Sequence, residues 1–167
     1  MLIAHLPAGY LLTRRFRGER CLLLLGMAAS VLPDLDLLWF YGPGGRHHGH
    51  HSYPSHLPFD WALLGAGLFA ATFLLRQEQS PPARLALAVL LTNVFGHLAL
   101  DTVAGGIEWL YPCSRTSLVL VEVPSAHSWW VANYVLHWSF LFELALLAAA
   151  GIALAYDLRP RPANVEA

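Results

Sequence analysis

Lysine is absent from this chain, and all ten basic residues are arginine. Charged side chains of both signs together make up only 13% of the sequence, and the formal net charge is −1. So sparse and balanced a charge offers a polyanion nothing to bind, which excludes nucleic acid as a partner. Cysteine is equally scarce. Cys21 sits in an apolar run and Cys113 follows Pro112, so a disulfide framework is excluded. No repeat of fixed period occurs. The order of a secretory signal peptide is missing as well, because the apolar stretch 1–12 precedes Arg14, Arg15, Arg17 and Arg20 instead of following them. The segment is therefore expected to be retained.

What the chain has in abundance is apolar side chains, 56% of its 167 residues. That balance suits a surface facing lipid, and the length suits one domain. Segments 57–75, 83–104 and 131–156 are each long enough to cross a hydrocarbon core of about 30 Å at about 1.5 Å per residue. A fourth, 21–32, is shorter and ends at Pro33, so it either reaches part-way or is completed by 34–41. Segment 2–12 is shorter and reads as a half-helix covered by the others. The expected fold is all-α: a polytopic transmembrane bundle of about four membrane segments plus an N-terminal half-helix. Residues 1–158 form one membrane-embedded domain and 159–167 a flexible tail.

Arginine placement orients the bundle. Threading the chain back and forth puts Arg14, Arg15, Arg17, Arg20, Arg76, Arg84, Arg159 and Arg161 on one side, leaving Arg46 and Arg115 on the other. The positive-inside rule makes the first side cytoplasmic. Loops 33–56 and 105–130 then face the periplasm of a bacterial inner membrane, with Trp109, Tyr111, Trp129 and Trp130 forming an aromatic belt.

The nine histidines outnumber the cysteines and point to imidazole and carboxylate chemistry. His97 and Asp101, four apart on a helix, share one face, where they can ligate one metal or bridge two, or simply pair to fix packing. Asp34 and Asp36 follow an apolar run at a helix-breaking proline; Asp34 also reads as a helix cap. Five histidines (His47, His48, His50, His51 and His56) crowd into ten positions, and imidazole is a preferred zinc ligand. His5 would point into the bundle at similar depth. All of these residues fall toward one membrane face, which is the main argument for a shared site. His127, His137, Glu143, Asp60 and Thr102 are weaker candidates. His137 and Glu143 read equally as groups supporting the ligands or as helix-packing contacts.

Ala4-His5-Leu6-Pro7-Ala8-Gly9-Tyr10, Leu32-Pro33-Asp34-Leu35-Asp36, the 47–56 run, and His97-Leu98-Ala99-Leu100-Asp101-Thr102 followed by Trp109-Leu110-Tyr111-Pro112 resemble the YdjM-type inner-membrane metal-dependent hydrolases. The likeness spans residues 2 to about 145, nearly the whole chain. It implies a membrane-bound helical hydrolase. A looser similarity reaches the zinc-dependent phospholipase C and P1-type nuclease group, whose ligand order His5, Asp36, His51, His97 and Asp101 match. That group's later His-x-x-x-Glu is missing, since Leu141 stands four after His137.

The expected function is therefore hydrolysis of a phosphoester or ester in a lipid or envelope molecule at the bilayer. One or two divalent ions, zinc by preference, would be held by His5, Asp36, His51 or His56, His97 and Asp101. Asp34 and His56 are the catalytic candidates, Asp34 orienting or deprotonating water. The alternatives are a metal-binding or transport protein without catalysis and a scaffold whose buried polar residues serve only packing.

Overall fold

The computed structural model describes residue 1 and residues 3–42, 50–74 and 81–159. Among these lie helices α1 (His5–Thr13), α2 (Arg20–Ala29), α3 (Asp36–Tyr41), α4 (Pro58–Leu74), α5 (Pro81–Asp101), α6 (Trp130–Val135) and α7 (Phe140–Asp157). Tight 3₁₀ turns occupy Arg14–Phe16, Pro33–Leu35, His50–Ser52 and Pro54–His56. The described residues contain no β-strand; Ile107 and Leu118 merely exchange two backbone hydrogen bonds of 3.0 and 2.9 Å. The all-α expectation holds.

Prolines set several boundaries. Pro33 has no amide hydrogen with which to extend α2, so the chain turns there, and the segment Pro33–Tyr41 leaves at 54° to Arg20–Ala29. Pro58 and Pro81 instead open α4 and α5, where a missing amide hydrogen costs nothing. The continuous helix expected at 131–156 is two helices with a break at 136–139. There the Ser139 amide donates to His137 Nδ1 (3.4 Å), whose ring also lies 2.9 Å from Ser139 Oγ. This local bonding draws the amide away from the Val135 carbonyl that a continuous helix would use.

Two helices are long and apolar enough to cross a membrane: Ala83–Asp101 within α5, and α7. The bent pair Arg20–Ala29 and Pro33–Tyr41 makes a third if counted as one span. Helix α4 is apolar but has 17 residues. Among the described residues the expected four membrane segments thus become two or three. The half-helix expected at 2–12 is α1, which packs against α2, α5 and α7.

The distribution of side chains is inside-out for a water-soluble protein. Leu141, Leu144, Leu147 and Ile152 of α7 point outward, while Glu143, Ala150 and Ala153 are buried. Leu63, Leu64, Leu68 and Phe73 of α4 are exposed around a buried Gly65. Large apolar residues outside and small or polar ones inside are what helix packing in lipid requires, because burying Leu gains little when the solvent is itself hydrocarbon.

Small residues also let α1 and α2 approach. A Cβ on Gly9 would run into the Ser30 side chain, and one on Gly26 into the Thr13 methyl and the Asn93 amide. At its far end α1 is tied to α7. Arg14 donates from Nε and Nη2 to Asp157 (3.0 and 2.8 Å), joined by Arg17 Nη1 (2.6 Å) and Tyr10 Oη (2.8 Å).

Gly26→Ala is expected to cost about 1–3 kcal/mol, the usual range for overpacking, and to lower the melting temperature of the detergent-solubilised protein. Gly67→Ala, whose Cβ would meet nothing within 4 Å, should melt like the wild type. Equal melting of both variants would show that the α1–α2 crossing is not close-packed.

Candidate metal centre

Five chain segments deliver ionisable groups to one end of the bundle. His5 opens α1, Asp34 lies in the 3₁₀ turn after α2, and Asp36 opens α3. His51 and His56 come from the two turns before α4, and His97 and Asp101 stack on the last turns of α5. The Arg14–Asp157 cluster lies at the opposite ends of α1 and α7.

Asp101 is the hub. Its Oδ1 is 3.2 Å from His5 Nε2; its Oδ2 is 3.0 Å from His97 Nε2 and 3.5 Å from both His51 Nε2 and His56 Nε2. Asp34 faces the same space, with Oδ1 3.6 Å from His97 Nε2 and 3.7 Å from His56 Nε2, and Oδ2 3.9 Å from His5 Nε2. The donor atoms of His5, Asp34, His97 and Asp101 lie within 4.8 Å of one another, as do those of His51, His56 and Asp101. Ligands about 2.0–2.1 Å from a tetrahedral zinc ion stand about 3.4 Å apart. Most of the separations here cluster around that value.

The tautomers follow from what each outer nitrogen touches. His97 Nδ1 is 2.8 Å from the Ser30 carbonyl, and His51 Nδ1 is 2.7 Å from the Gly105 carbonyl. A carbonyl can only accept, so each Nδ1 carries a hydrogen and Nε2 is the nitrogen left to face the centre. His56 Nδ1 is 2.8 Å from Asp36 Oδ2, a carboxylate that also accepts from Ser55 Oγ at 2.7 Å. Inward-facing nitrogens His97 Nε2 and His56 Nε2 are then 3.4 Å apart, a contact between lone pairs that needs a cation or a proton between them. Imidazoles oriented from behind by carbonyls and carboxylates are the usual support of metal-binding histidines.

Burial sharpens the requirement. His5, His56, His97 and Asp101 are each no more than 3% exposed, and Asp34 is the open member at 26%. Neither ring nitrogen of His5 makes a hydrogen bond, and neither does Asp101 Oδ2. Buried polar atoms without partners are costly and rare. Asp101 Oδ1 accepts from the α-amine of Met1. Burial alone would lower the His56 pKa, but the carboxylates of Asp101, Asp34 and Asp36 around its ring outweigh it and push it up to about 10. The centre attracts positive charge, and its His/Asp donor set could hold a metal ion.

The remaining candidates are elsewhere. Thr102 Oγ1 donates to the Leu98 carbonyl and accepts from Trp109 Nε1. His127 lies on the exposed loop before α6, His137 bonds Ser139, and Asp60 is in the first turn of α4. Glu143 is buried and bonded to Tyr134 and Ile3. His47 and His48 lie outside the described residues. Sequence reasoning missed Ser30, Gly105 and Ser55. The first two act through backbone carbonyls that no side chain advertises; the third had only its position beside His56 to mark it. The loop after α5 is held against the centre by Leu120 N–H to the Thr102 carbonyl and Val121 N–H to the Val103 carbonyl (2.9 and 2.8 Å), and by the left-handed turn at Gly106 (φ +76°). A cavity of about 300 Å³ is lined by Ser52, Tyr53, Glu108 and Arg115.

No curated protein and no solved structure matches the chain, so the looser likeness to the phospholipase C and P1-type nuclease group finds no support there. A family model described as "YdjM inner membrane protein" does match, over residues 2–161. Apolar helices, an outward-facing hydrocarbon surface and a match over almost its whole length agree: the chain belongs to the YdjM inner membrane protein family.

Proposed function

We propose that this chain is a membrane-bound, metal-dependent hydrolase that acts on a phosphoester or ester of a lipid or envelope molecule. The observation that carries the metal reading is the set of three imidazoles, His51, His56 and His97, each bonded through Nδ1 and aimed through Nε2 at Asp101. His5, His97 and Asp101, with Asp34 beside them, would hold one ion; His51, His56 and Asp101 would hold a second, with Asp101 shared. Asp36 stands behind His56 and fixes its ring. When bound, a zinc ion supplies Lewis acidity and lowers the pKa of water to about 7.

Hydrolysis is favoured over closed metal storage by the exposure of Asp34. It is the one carboxylate of the group with access from outside, so it can orient water and take its proton. The cavity lined by Ser52, Tyr53, Glu108 and Arg115 has polar walls suited to a head group. The lipid-facing helices allow the tails of such a substrate to stay in the bilayer. The arginine cluster at the other end supports a centre on the periplasmic side.

Elemental analysis of purified protein should find one or two divalent ions per chain, with Asp101→Ala reduced to trace content. Unchanged metal in that variant would remove the centre from the proposal. Asp34→Asn should keep its metal and lose about 10²-fold or more in hydrolysis of a phosphodiester or phospholipid, as expected for loss of a general base. A metal-loaded wild type that cleaves no phosphoester or ester would favour the binding or transport alternative.

The native cysteines report the orientation. Cys113, exposed in the loop after α5, should react with a membrane-impermeant maleimide in intact spheroplasts. Cys21, beside Arg20, should react only after the membrane is opened; the reverse pattern would place the centre on the cytoplasmic side.

A further inference from the structure

His5 differs from the other histidines of the centre in that nothing holds its Nδ1 from behind, while its Nε2 faces Asp101 Oδ1 at 3.2 Å. It stacks on His97 with ring centroids 3.7 Å apart and planes 21° from parallel, so its position depends on where the backbone of α1 begins. The Met1 amine ties the chain end to Asp101, but α1 itself begins uncapped. Ala4, at the N-cap, offers no side-chain bond, and the first turn carries no acidic residue, leaving amide hydrogens that usually need a partner.

The partner comes from another helix. Glu143, 0% exposed in the first turn of α7, accepts from the Ile3 amide on Oε2 and from Tyr134 Oη on Oε1. A carboxylate buried in an apolar 18-residue helix is expensive and is retained where it has a task. Here it grips the backbone two residues before His5 and places negative charge at the positive end of α1. Tyr134, from α6, fixes the second oxygen so that the carboxylate cannot rotate away. The break between α6 and α7 lets Tyr134 fold back onto Glu143.

We propose that Glu143, oriented by Tyr134, is the positioning residue for His5: it clamps the Ile3 amide and so sets the imidazole into the metal centre. The inference rests on the metal-centre reading above and assigns Glu143 no direct contact with the ion.

Metal affinity of the full-length protein, measured by zinc competition with a chromophoric chelator, tests it in a double-mutant cycle. Glu143→Gln keeps the size of the side chain but turns an amide donor toward one of the two donors. It should weaken zinc binding by about 10- to 100-fold, the usual effect of losing a ligand-supporting group, and Tyr134→Phe should weaken it less. In a His5→Ala background, Glu143→Gln should change zinc affinity by less than about twofold, because its effect passes through His5. An equal loss in both backgrounds, or wild-type affinity in Glu143→Gln, overturns the assignment and leaves Glu143 a packing residue. Amide hydrogen exchange at Ile3 reads the clamp without metal: faster exchange in metal-free Glu143→Gln supports it, and an unchanged rate overturns it. A wild type that binds no zinc sinks the metal-centre reading instead, and Ile3 exchange then judges the clamp alone.

Discussion

The arrangement of this protein turns on one buried carboxylate. Asp101 lies at the end of a long apolar helix, almost sealed from solvent, with imidazoles from three other segments and from its own helix gathered about its two oxygens. A lone carboxylate at such a place would be neutralised or expelled. It is tolerated because every neighbouring imidazole can share positive charge with it, from a proton or from a metal ion. Removing that charge would leave several groups at once unsatisfied, which ties the first turn of α1, the turn after α2, the turns before α4 and the end of α5 into one unit.

Around this hub the bundle is built for lipid. Its outer surface is rich in leucine, phenylalanine and tryptophan, and its interior sets buried polar groups and small residues around a short apolar core of Val94, Leu98 and Ile107. Hydrophobic burial drives little of the helix association in such a setting, so close backbone approach and interior hydrogen bonds carry more weight. Gly9 and Gly26 provide the first at the α1–α2 crossing. The Asp157 cluster at one end and the Asp101 cluster at the other provide the second, and α1 is fastened at both.

Each helix that builds the centre was legible from apolar run length, though not always its extent. The run 131–156 read as one helix because hydropathy is blind to the Ser139–His137 bond that interrupts it. Among the described residues the spans number two, or three if the pair bent by 54° at Pro33 counts as one, where run length read four. Within the site, histidines and aspartates stood out because ionisable groups are rare in apolar surroundings. The two aspartates of one short motif were read with Asp36 on the metal and Asp34 on the water, whereas in the structure Asp34 faces the donor atoms and Asp36 sits behind His56. Two residues apart on a tight turn, they point in different directions, and only the backbone path says which way.

By itself the sequence determined the solvent and the inventory. Scarce charge and long apolar runs required lipid, arginine placement implied a direction, and His5, His51, His56, His97 and Asp101 were the groups too costly to bury without a purpose. Tertiary structure alone decided which atoms meet. The carbonyls of Ser30 and Gly105 that set the histidine tautomers, and the Glu143 carboxylate on the Ile3 amide 140 positions away, arise from backbone groups common to every residue. Such groups acquire a role only when folding brings them within hydrogen-bonding distance.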